Sequence, residues 1–291
     1  MQNLITKFLC LTVLVLSLSG CTNNPLAWKL LYGQFDNFLS KQLIGYAEFT
    51  ESEKDLIRLE VDKTVLWHRQ YELPKYAATI TEFQNRFLAQ QTVPSQTDMD
   101  WLIVELNTIG LRFDEKSPLL SLIPMLAQIS DLQVEQIAQT IDEEFIDSHK
   151  EWQKEADQDP AELSEKSLRK FFKRLGLSTN EAQRTALTES LRRRQLSRDI
   201  KQEVWREWAD QILDILNSRV QPGFAERFAD HYFSRLDLIE IKQAEKWGHD
   251  QTLFKHMFLG LFTNLEAEQK SSMNQKLEKF KATALELNQS I

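Results

Sequence analysis

Glycine, proline and cysteine are scarce in this chain of 291 residues, which contains 8, 7 and 2 of them. So few glycines and prolines cannot supply the turns that an all-β or a mixed α/β fold of this length needs. The residues that dominate instead are leucine, glutamate, glutamine, lysine, alanine and arginine, all of which favour helices. The composition therefore predicts an all-α fold, an elongated multi-helix bundle with short loops and no sheet.

The first 20 residues have the pattern of a signal peptide. Lys7 is their only basic residue and precedes an apolar run from Phe8 to Leu18, which is too short to span a bilayer. The run leads into the string LSGC at positions 18–21, which resembles the lipobox of bacterial lipoproteins, where the cysteine thiol receives a diacylglycerol before cleavage. We expect a signal peptide at residues 1–20, lipidation at Cys21 and a short tether at residues 21–25.

Such processing leaves the mature chain without a free thiol, because Cys10 leaves with the signal peptide and Cys21 becomes a thioether. The fold must then be stable without disulfide bonds. Thr22 follows the acylated cysteine, and by resemblance to the lipoprotein sorting rule the absence of aspartate there favours the periplasmic face of the outer membrane. Residues 26–291 are expected to form one all-helical domain, with a subdivision near residues 118–130 as the alternative.

The chain carries a net charge of −8, which argues against a nucleic-acid partner. An acidic block at residues 131–165 is followed by a basic block at residues 166–206. The simpler interpretation is that the helices of the two blocks pair their charges. The sharper hypothesis is a surface patch that binds anionic lipid or glycan phosphate. The basic residues of that patch would be Lys170, Lys173, Arg174, Arg192, Arg193, Arg194 and Arg198.

Helix-start signals recur along the chain. Four positions, Thr50, Ser130, Ser178 and Thr263, are followed three residues later by Glu or Gln, which is the pattern of a capping box. These starts also resemble the LTxxQ motif of helical periplasmic chaperones, and the resemblance implies a chaperone-like role. An apolar stripe with mostly i,i+4 spacing at residues 178–220 predicts one long central helix, about 60 Å in length if unbroken.

The most distinctive string is WHRQYELPKYA at residues 67–77. Together with the LSGC string and the aromatic segment from Trp28 to Leu39, it resembles domain of unknown function 6279, a family of proteobacterial lipoproteins. The resemblance implies a lipid-anchored helical protein and carries no activity with it.

Within this string, His68 and Glu72 are one helical turn apart, which would suit a hydrogen-bonded pair or half of a metal site. Pro74 lacks an N–H donor and is expected to break or kink the helix near Gln70. The structural alternative is that Trp67 and Tyr71 pack and that Glu72 pairs with a base. In that alternative, His68 and Arg69 satisfy the carbonyls left free at the break. The candidate binding residues of this region are Trp67, His68, Arg69, Glu72 and Tyr76.

Several enzyme motifs are absent from the sequence: HExxH, G-x-S-x-G, G-x-G-x-x-G and the phosphate-binding loop. We therefore assign no catalytic residue, no metal ligand and no cofactor. An aromatic stretch in the C-terminal third supplies two further candidate binding residues, Tyr232 and Phe258. They would line an apolar groove unless they belong to the core, as aromatic residues at helical spacing usually do.

The leading functional interpretation is a non-enzymatic interaction protein of the envelope. Its partners would be the membrane, through the N-terminal lipid, and an envelope polypeptide, lipid or glycan, which it would bind in a chaperone-like manner. One alternative is an envelope enzyme that acts on a cell-wall or lipid substrate through the region of His68 and Glu72. Another alternative is a structural or assembly spacer. The sequence leaves the oligomeric state open.

Overall fold

The computed structural model describes residues 32–89, 93–235 and 237–289. Every regular element within these ranges is helical and no residue in them belongs to a β-strand, which confirms the all-α prediction. The signal peptide, Cys21 and Trp28 lie outside the described residues, so the predictions about them stay predictions. In the part of the chain that the structure describes, no helix is both long enough and apolar enough to cross a membrane.

Helices of very different lengths make up the described residues, and two π-helical turns, His68–Glu72 and Gln84–Leu88, extend the helices before them. The α-helices are α1 (Phe35–Ile44), α2 (Glu51–Trp67), α3 (Leu73–Phe83), α4 (Gln96–Glu115), α5 (Pro118–Ser121), α6 (Ile123–Leu126), α7 (Asp131–Gln153), α8 (Pro160–Arg174), α9 (Glu181–Arg192), α10 (Arg198–Asn217), α11 (Phe224–Ser234), α12 (Leu238–Lys242), α13 (Ala244–Thr263) and α14 (Ala267–Gln289).

Two of the four predicted capping boxes are confirmed. The hydroxyl of Thr50 accepts a hydrogen bond from the backbone N–H of Glu53, and the Glu53 carboxylate accepts one from the N–H of Thr50 at 2.8 Å. Ser130 and Gln133 form the same reciprocal pair at the start of α7. These boxes satisfy N–H groups that otherwise have no partner in the first helical turn.

The other two predicted boxes are wrong. At α9 the cap is Asn180 and not Ser178: the Asn180 side chain accepts from the N–H of Gln183 at 2.9 Å, and the Gln183 side chain accepts from the N–H of Asn180. At the fourth position, Thr263 is the last residue of α13. Ahead of α14, the backbone N–H of Glu266 donates to the side-chain oxygen of Gln269. Asn caps a helix as well as Ser does, so a competing signal two residues along the chain prevails.

The predicted long helix at residues 178–220 is also wrong, because the chain leaves the helix between α9 and α10. The Asp250 carboxylate of α13 accepts hydrogen bonds from the backbone N–H groups of Gln195 and Leu196, at 2.8 and 3.2 Å. In a continuous helix those N–H groups would bond to carbonyls one turn earlier. The apolar stripe has an irregular step of five residues, from Leu191 to Leu196, at the same place.

Two large hydrophobic clusters, and a small third one around Phe145 and Ala209, form the interior of the described residues. The first includes side chains of α1, α2, α6 and α11, and the second includes side chains of α8, α9 and α13. Two long helices contribute to both clusters: α4 through Phe113 and Met99, and α14 through Leu287 and Met273. A helix shared in this way holds the two clusters together. The single-domain prediction is not tested by these observations and stays a prediction.

Candidate functional site

The helix at the junction of α2 and α3 widens into a π turn and does not break. Pro74 has no N–H to donate to the carbonyl of Gln70, and the N–H of Leu73 donates to the carbonyl of His68 in place of that of Arg69. The side-chain amide of Asn288, on α14, donates to the carbonyls of Arg69 and Gln70 at 3.0 and 3.1 Å. The prediction of a disturbed helix near Gln70 is thus confirmed in a milder form, and Asn288 supplies the compensating bonds that were expected from His68 and Arg69.

His68 is buried between two tyrosines. Its Nδ1 lies 2.5 Å from the hydroxyl of Tyr32 and its Nε2 lies 3.2 Å from the hydroxyl of Tyr76, while its ring packs on Phe113. Burial, together with the nearby charge of Arg69, lowers the pKa of His68 to about 3. The imidazole is therefore neutral near neutral pH, with one ring nitrogen donating and the other accepting.

Glu72 is fully buried and bonds to two cations. Nε of Arg112 lies 2.9 and 3.0 Å from its two carboxylate oxygens, and Nζ of Lys75 lies 2.7 Å from one of them. His68 and Glu72 therefore have separate partners, and the predicted hydrogen bond between them is not formed. The described residues contain no group of three or more His, Cys, Asp or Glu side chains placed to hold a metal ion.

The aromatic residues around His68 are mostly packed. Trp67 is half-buried and meets Phe113 edge-on at 5.9 Å, and the guanidinium of Arg69 lies 5.3 Å from the centre of the Tyr32 ring. Tyr71, in contrast, is 58% exposed, so the expectation that it packs is wrong. The structural alternative for the string at residues 67–77 is therefore confirmed for the packing of Trp67 and for the pairing of Glu72 with bases. It is wrong for Tyr71 and for the partner of the free carbonyls, which is Asn288.

The seven basic residues proposed as one patch lie at two ends of a helical hairpin. Arg192, at the end of α9, pairs with Asp159 at 2.8 Å, which places it beside the start of α8. Lys173, near the end of α8, is 14 residues further along the chain, about 20 Å along the helix axis. The antiparallel packing of α8 and α9 therefore separates Lys170, Lys173 and Arg174 from the remaining four, and a single continuous patch is not formed.

Several of these basic side chains are paired with the acidic block that precedes them. Arg192 contacts Asp159, and Arg198 contacts Glu155 at 3.1 Å. Arg194 lies 3.9 Å from the buried Asp250. The pairs of Arg192 and Arg198 agree with the simpler interpretation, in which the helices of the two blocks pair their charges, whereas Asp250 lies outside the acidic block. The patch residues that form no ion pair within the described ranges are Lys170, Lys173, Arg174 and Arg193.

Tyr232 and Phe258 do not line a common groove. Tyr232 is buried, and the guanidinium of Arg235 lies 3.6 Å from the centre of its ring. Phe258 is half-buried and packs edge-on against Phe172 in the second hydrophobic cluster. The predicted apolar groove is wrong for this pair, because α11 and α13 direct these side chains to different parts of the interior.

A groove that the sequence reasoning missed lies between α7 and α10, with a volume of about 570 Å³. Two apolar side chains of α7 line it: Phe145, which is buried, and Ile146, which is 52% exposed. No local pattern reveals this groove, because it depends on the packing of two helices that are far apart in the sequence. The other lining residues are His149, Lys150, Asp199, Gln202, Glu203 and Arg206.

Some of the charged side chains in this groove form ion pairs and others do not. Arg206 lies over the ring of Phe145 at 5.0 Å and pairs with Asp142 and Asp210. Lys150 pairs with its helical neighbour Asp147. The two carboxylates of α10 in the groove, at positions 199 and 203, have no ion-pair partner among the described residues. The charge left for a ligand is therefore negative, on one wall of a groove that also contains apolar side chains.

A comparison with protein families finds one match. A family model described as "Family of unknown function (DUF6279)" matches residues 45–239, about two thirds of the chain. The matched range includes the string at residues 67–77 and both helices that form the groove. No curated protein and no solved structure matches the chain.

Proposed function

The chain belongs to the DUF6279 family of unknown function, as the string at residues 67–77 predicted, and we propose that it is a lipid-anchored envelope protein that binds a polypeptide segment. The observation that carries the proposal is the groove between α7 and α10. The groove is shallow and open, and its volume of about 570 Å³ accepts a few side chains of a ligand.

The apolar side chains favour a ligand with an apolar anchor. Ile146 is half exposed although it lies next to the buried Phe145, so an incoming aliphatic or aromatic side chain would remove apolar surface of both partners from water. Burial of such an anchor in a concave site is the usual source of affinity in polypeptide recognition.

The unpaired carboxylates favour a ligand with positive charge. Asp199 and Glu203 are one turn apart on α10, which places their side chains about 6 Å from each other on one helix face. A lysine or arginine of the ligand could bond to both carboxylates while its apolar neighbour contacts Ile146. The proposed occupant is therefore an amphipathic, cationic segment of an envelope polypeptide.

The lipid anchor of the proposal is supported by the sequence of the leader, in which LSGC at positions 18–21 follows a short apolar run. Acylation at Cys21 would hold the domain at a membrane, and the residue after the cysteine favours the outer membrane. Replacing Cys21 with Ser should abolish labelling by radioactive palmitate and leave the helical domain folded, since the thiol and not the fold carries the anchor. Palmitate incorporation into the serine variant would contradict this part of the proposal.

The enzyme alternative has less support from the geometry. His68 and Glu72 are buried and already bonded to protein partners, so a substrate would have to displace those partners to reach them. A spacer without a binding site would have no need for a groove with unpaired carboxylates. For these reasons we assign His68 and Glu72 a structural role in the proposed function.

Binding can be measured with two labelled peptides that share their apolar residues and differ only in carrying lysine or glutamate. We expect the lysine peptide to bind the purified protein more tightly. Ile146→Asp, or Asp199→Asn combined with Glu203→Gln, should weaken that binding at least fivefold. The matched control is Leu132→Asp, because Leu132 is on the same helix, is 59% exposed and does not line the groove. Equal affinity for both peptides, or equal losses in the Leu132 variant, would refute the groove as the binding site.

A photo-crosslinking amino acid at position 146 identifies the natural partner in intact cells. The expected result is a crosslinked polypeptide that is absent when the crosslinker is at position 132 and is reduced by the double substitution at Asp199 and Glu203. Crosslinks that are equal at the two positions would show that the groove has no preferred polypeptide.

A further inference from the structure

The solvent-facing side of α8 carries a row of exposed cations. The opposite side of this helix packs on the second hydrophobic cluster, where Phe172 is buried. Lys166, Lys170 and Lys173 are exposed, and their spacing of four and three residues places them within about 60° of each other around the helix axis. Helix geometry therefore joins these lysines into one surface, which Arg174 extends at the end of the helix. We call these four residues the α8 basic face.

The cations of this face lack the ion pairs that other lysines of the protein form. Six lysines elsewhere in the described residues pair with an acid three positions earlier, as Lys54 does with Glu51. On α8 the residues three positions before the lysines are a leucine, a serine and a lysine. None of the four cations forms an ion pair within the described ranges, so their charge is available to a ligand.

The stability of α8 alone does not account for this row. Like charges one helical turn apart repel each other and weaken a helix. The helix dipole favours cations only in the last turn, which accounts for Lys173 and Arg174. It does not account for Lys166, which lies eight residues before the end of the helix. An anionic ligand would offset the repulsion along the whole row.

The surroundings of the face restrict the kind of anion. Along the whole of α8, which the structure describes, no large apolar side chain is exposed, whereas the core of a protein interface usually contains one. The outside of a helix is convex, so it encloses no site for a small anion. Lysine is a flexible point charge and lacks the rigid fork of arginine, which suits an anionic charge that is spread over a surface. A layer of anionic phospholipids has such a charge.

We infer that the α8 basic face binds the surface of an anionic phospholipid membrane by electrostatic attraction, without inserting side chains into it. Clusters of about four to eight basic residues on an amphipathic helix are typical of binding to anionic lipids. The face is at the lower end of this range, so its binding should require a high density of anionic lipid and should weaken in salt. The inference depends neither on the groove nor on the lipid anchor of the proposed function, because all of its residues are on α8.

The test measures how closely α8 approaches lipid headgroups. A fluorescent amino acid replaces Ser167, which is exposed and adjacent in sequence to Lys166. The full chain is mixed with vesicles of phosphatidylcholine, alone or with phosphatidylglycerol, in which some headgroups carry a nitroxide quencher. Quenching at position 167 reports on α8 itself, whether or not acyl chains also hold the protein at the vesicle.

Two triple variants separate the face from the overall charge. The first combines Lys166→Gln, Lys170→Gln and Lys173→Gln, and glutamine is as good a helix former as lysine. The matched control removes the same charge by replacing three exposed lysines outside α8 with glutamine. These are Lys63, Lys116 and Lys154. Circular dichroism compares the folding of the variants. Lys170→Gln alone should show a smaller loss of quenching and serves as the test if the triple variant unfolds.

We expect phosphatidylglycerol to raise the quenching about threefold, and roughly 1 M sodium chloride to abolish the increase. The α8 variant should lose most of the increase, and the control variant should keep it. Equal quenching with and without phosphatidylglycerol would overturn the inference, as would equal losses in the two triple variants. Dextran sulfate tests an anionic polymer as the alternative ligand. A change of fluorescence with dextran sulfate and none with anionic vesicles would show that the face binds a polymer and not a membrane.

Discussion

Gln183 and Gln269 exchange two hydrogen bonds, in which Nε2 of each donates to Oε1 of the other at 3.1 and 2.9 Å. The same side-chain oxygens also accept from the backbone N–H groups of Asn180 and Glu266, ahead of α9 and α14. The starts of two helices that are 86 residues apart are thus joined by one pair of glutamines. A similar link joins the starts of α2 and α7, where Gln133 donates to a carboxylate oxygen of Glu53 at 2.8 Å.

Replacing Gln269 with Ala should destabilise the protein by about 2 kcal/mol. The substitution removes the acceptor for the N–H of Glu266 and one of the two acceptors of the buried Gln183 amide, which keeps its bond to the carbonyl of Asn264, and each loss costs on the order of 1 kcal/mol. Urea denaturation followed by circular dichroism measures the difference. Combining Gln183→Ala with Gln269→Ala should cost less than the sum of the two single changes, because the pair is already lost in either one.

A suitable control for this pair is Gln139→Ala, since Gln139 is exposed on α7 and its side chain donates to that of its helical neighbour Glu143. It should change the free energy of unfolding by less than about 0.5 kcal/mol. Strictly additive losses at positions 183 and 269 would show that the two glutamines stabilise their helices separately.

The cap of α9 gives a second prediction. Asn180→Ala should lower the free energy of unfolding by about 1 kcal/mol, because its side chain accepts from the N–H of Gln183. Ser178→Ala should be nearly neutral, since within the described ranges Ser178 takes part in tertiary contacts through its backbone carbonyl, which accepts from Gln269 and remains in the alanine variant. The melting temperatures of the two variants, compared with that of the unchanged protein, measure the two losses of stability. A larger loss at position 178 would place the helix start where the sequence pattern alone had predicted it.

Acid should destabilise the protein through His68. In the unfolded chain the pKa of this histidine is near 6.5, whereas in the folded protein it is lowered to about 3, so the unfolded chain binds the proton more readily. The stabilising effect of the neutral imidazole is complete above pH 6.5 and is lost as the pH falls from 6.5 towards 3. The loss approaches about 1.4 kcal/mol per pH unit below pH 6.

The measurement is the free energy of unfolding between pH 7 and pH 5, where most carboxylates are still ionised. His68→Gln keeps polar atoms between the two tyrosines and removes the titrating group. Its stability is expected to change less with pH over this range than that of the unchanged protein, whatever its absolute value. Parallel curves for the two proteins would mean that His68 is not the group that responds.

Gly176 gives a prediction from backbone geometry. It has a φ of +86° at the end of α8, and a Cβ added there would lie 2.7 Å from the carbonyl oxygen of Ser272. Gly176→Ala should therefore cost about 2–4 kcal/mol, through strain in the left-handed region and displacement of α14. Thermal unfolding measures the loss. Gly248→Ala is the matched control, because its Cβ would have no neighbour within 4 Å and α13 should gain up to about 1 kcal/mol. A Gly176 variant as stable as the control would indicate that α14 can move aside freely.

Local chemistry in the sequence predicts much of the fold. The boxes at Thr50 and Ser130 follow from residues that are three positions apart, and Pro160 after Asp159 indicates the start of α8, where the Asp159 side chain accepts from the N–H of Ala161. The acidic and basic blocks, which are adjacent in the sequence, also pair their charges, since Arg192 of the basic block bonds to Asp159 of the acidic one. Such features depend on neighbours along the chain or on helices that are adjacent in sequence.

The missed features depend on contacts between distant segments. The helix predicted at residues 178–220 is interrupted between α9 and α10. There the carboxylate of Asp250, more than 50 positions away, accepts hydrogen bonds from two backbone N–H groups. The spacing of His68 and Glu72 indicated a pair, yet Tyr32 and Arg112 are nearer to them in space. The groove beside Ile146 exists only because α10 packs on α7. None of these partners can be identified from the local sequence, since many polar side chains compete for the same role.

The π turn between α2 and α3 keeps the helix after it in register with the helix before it. A regular helix turns by about 100° per residue, and the turn accommodates one residue more than a regular helix would, so that polar Glu72 and apolar Leu73 both face the interior. If the same residues formed a regular helix, everything after the turn would be rotated by about 100°, which would carry Tyr76 away from His68. The turn absorbs the extra residue locally, so a relative that lacks this residue would keep the same packing with a regular helix at this position.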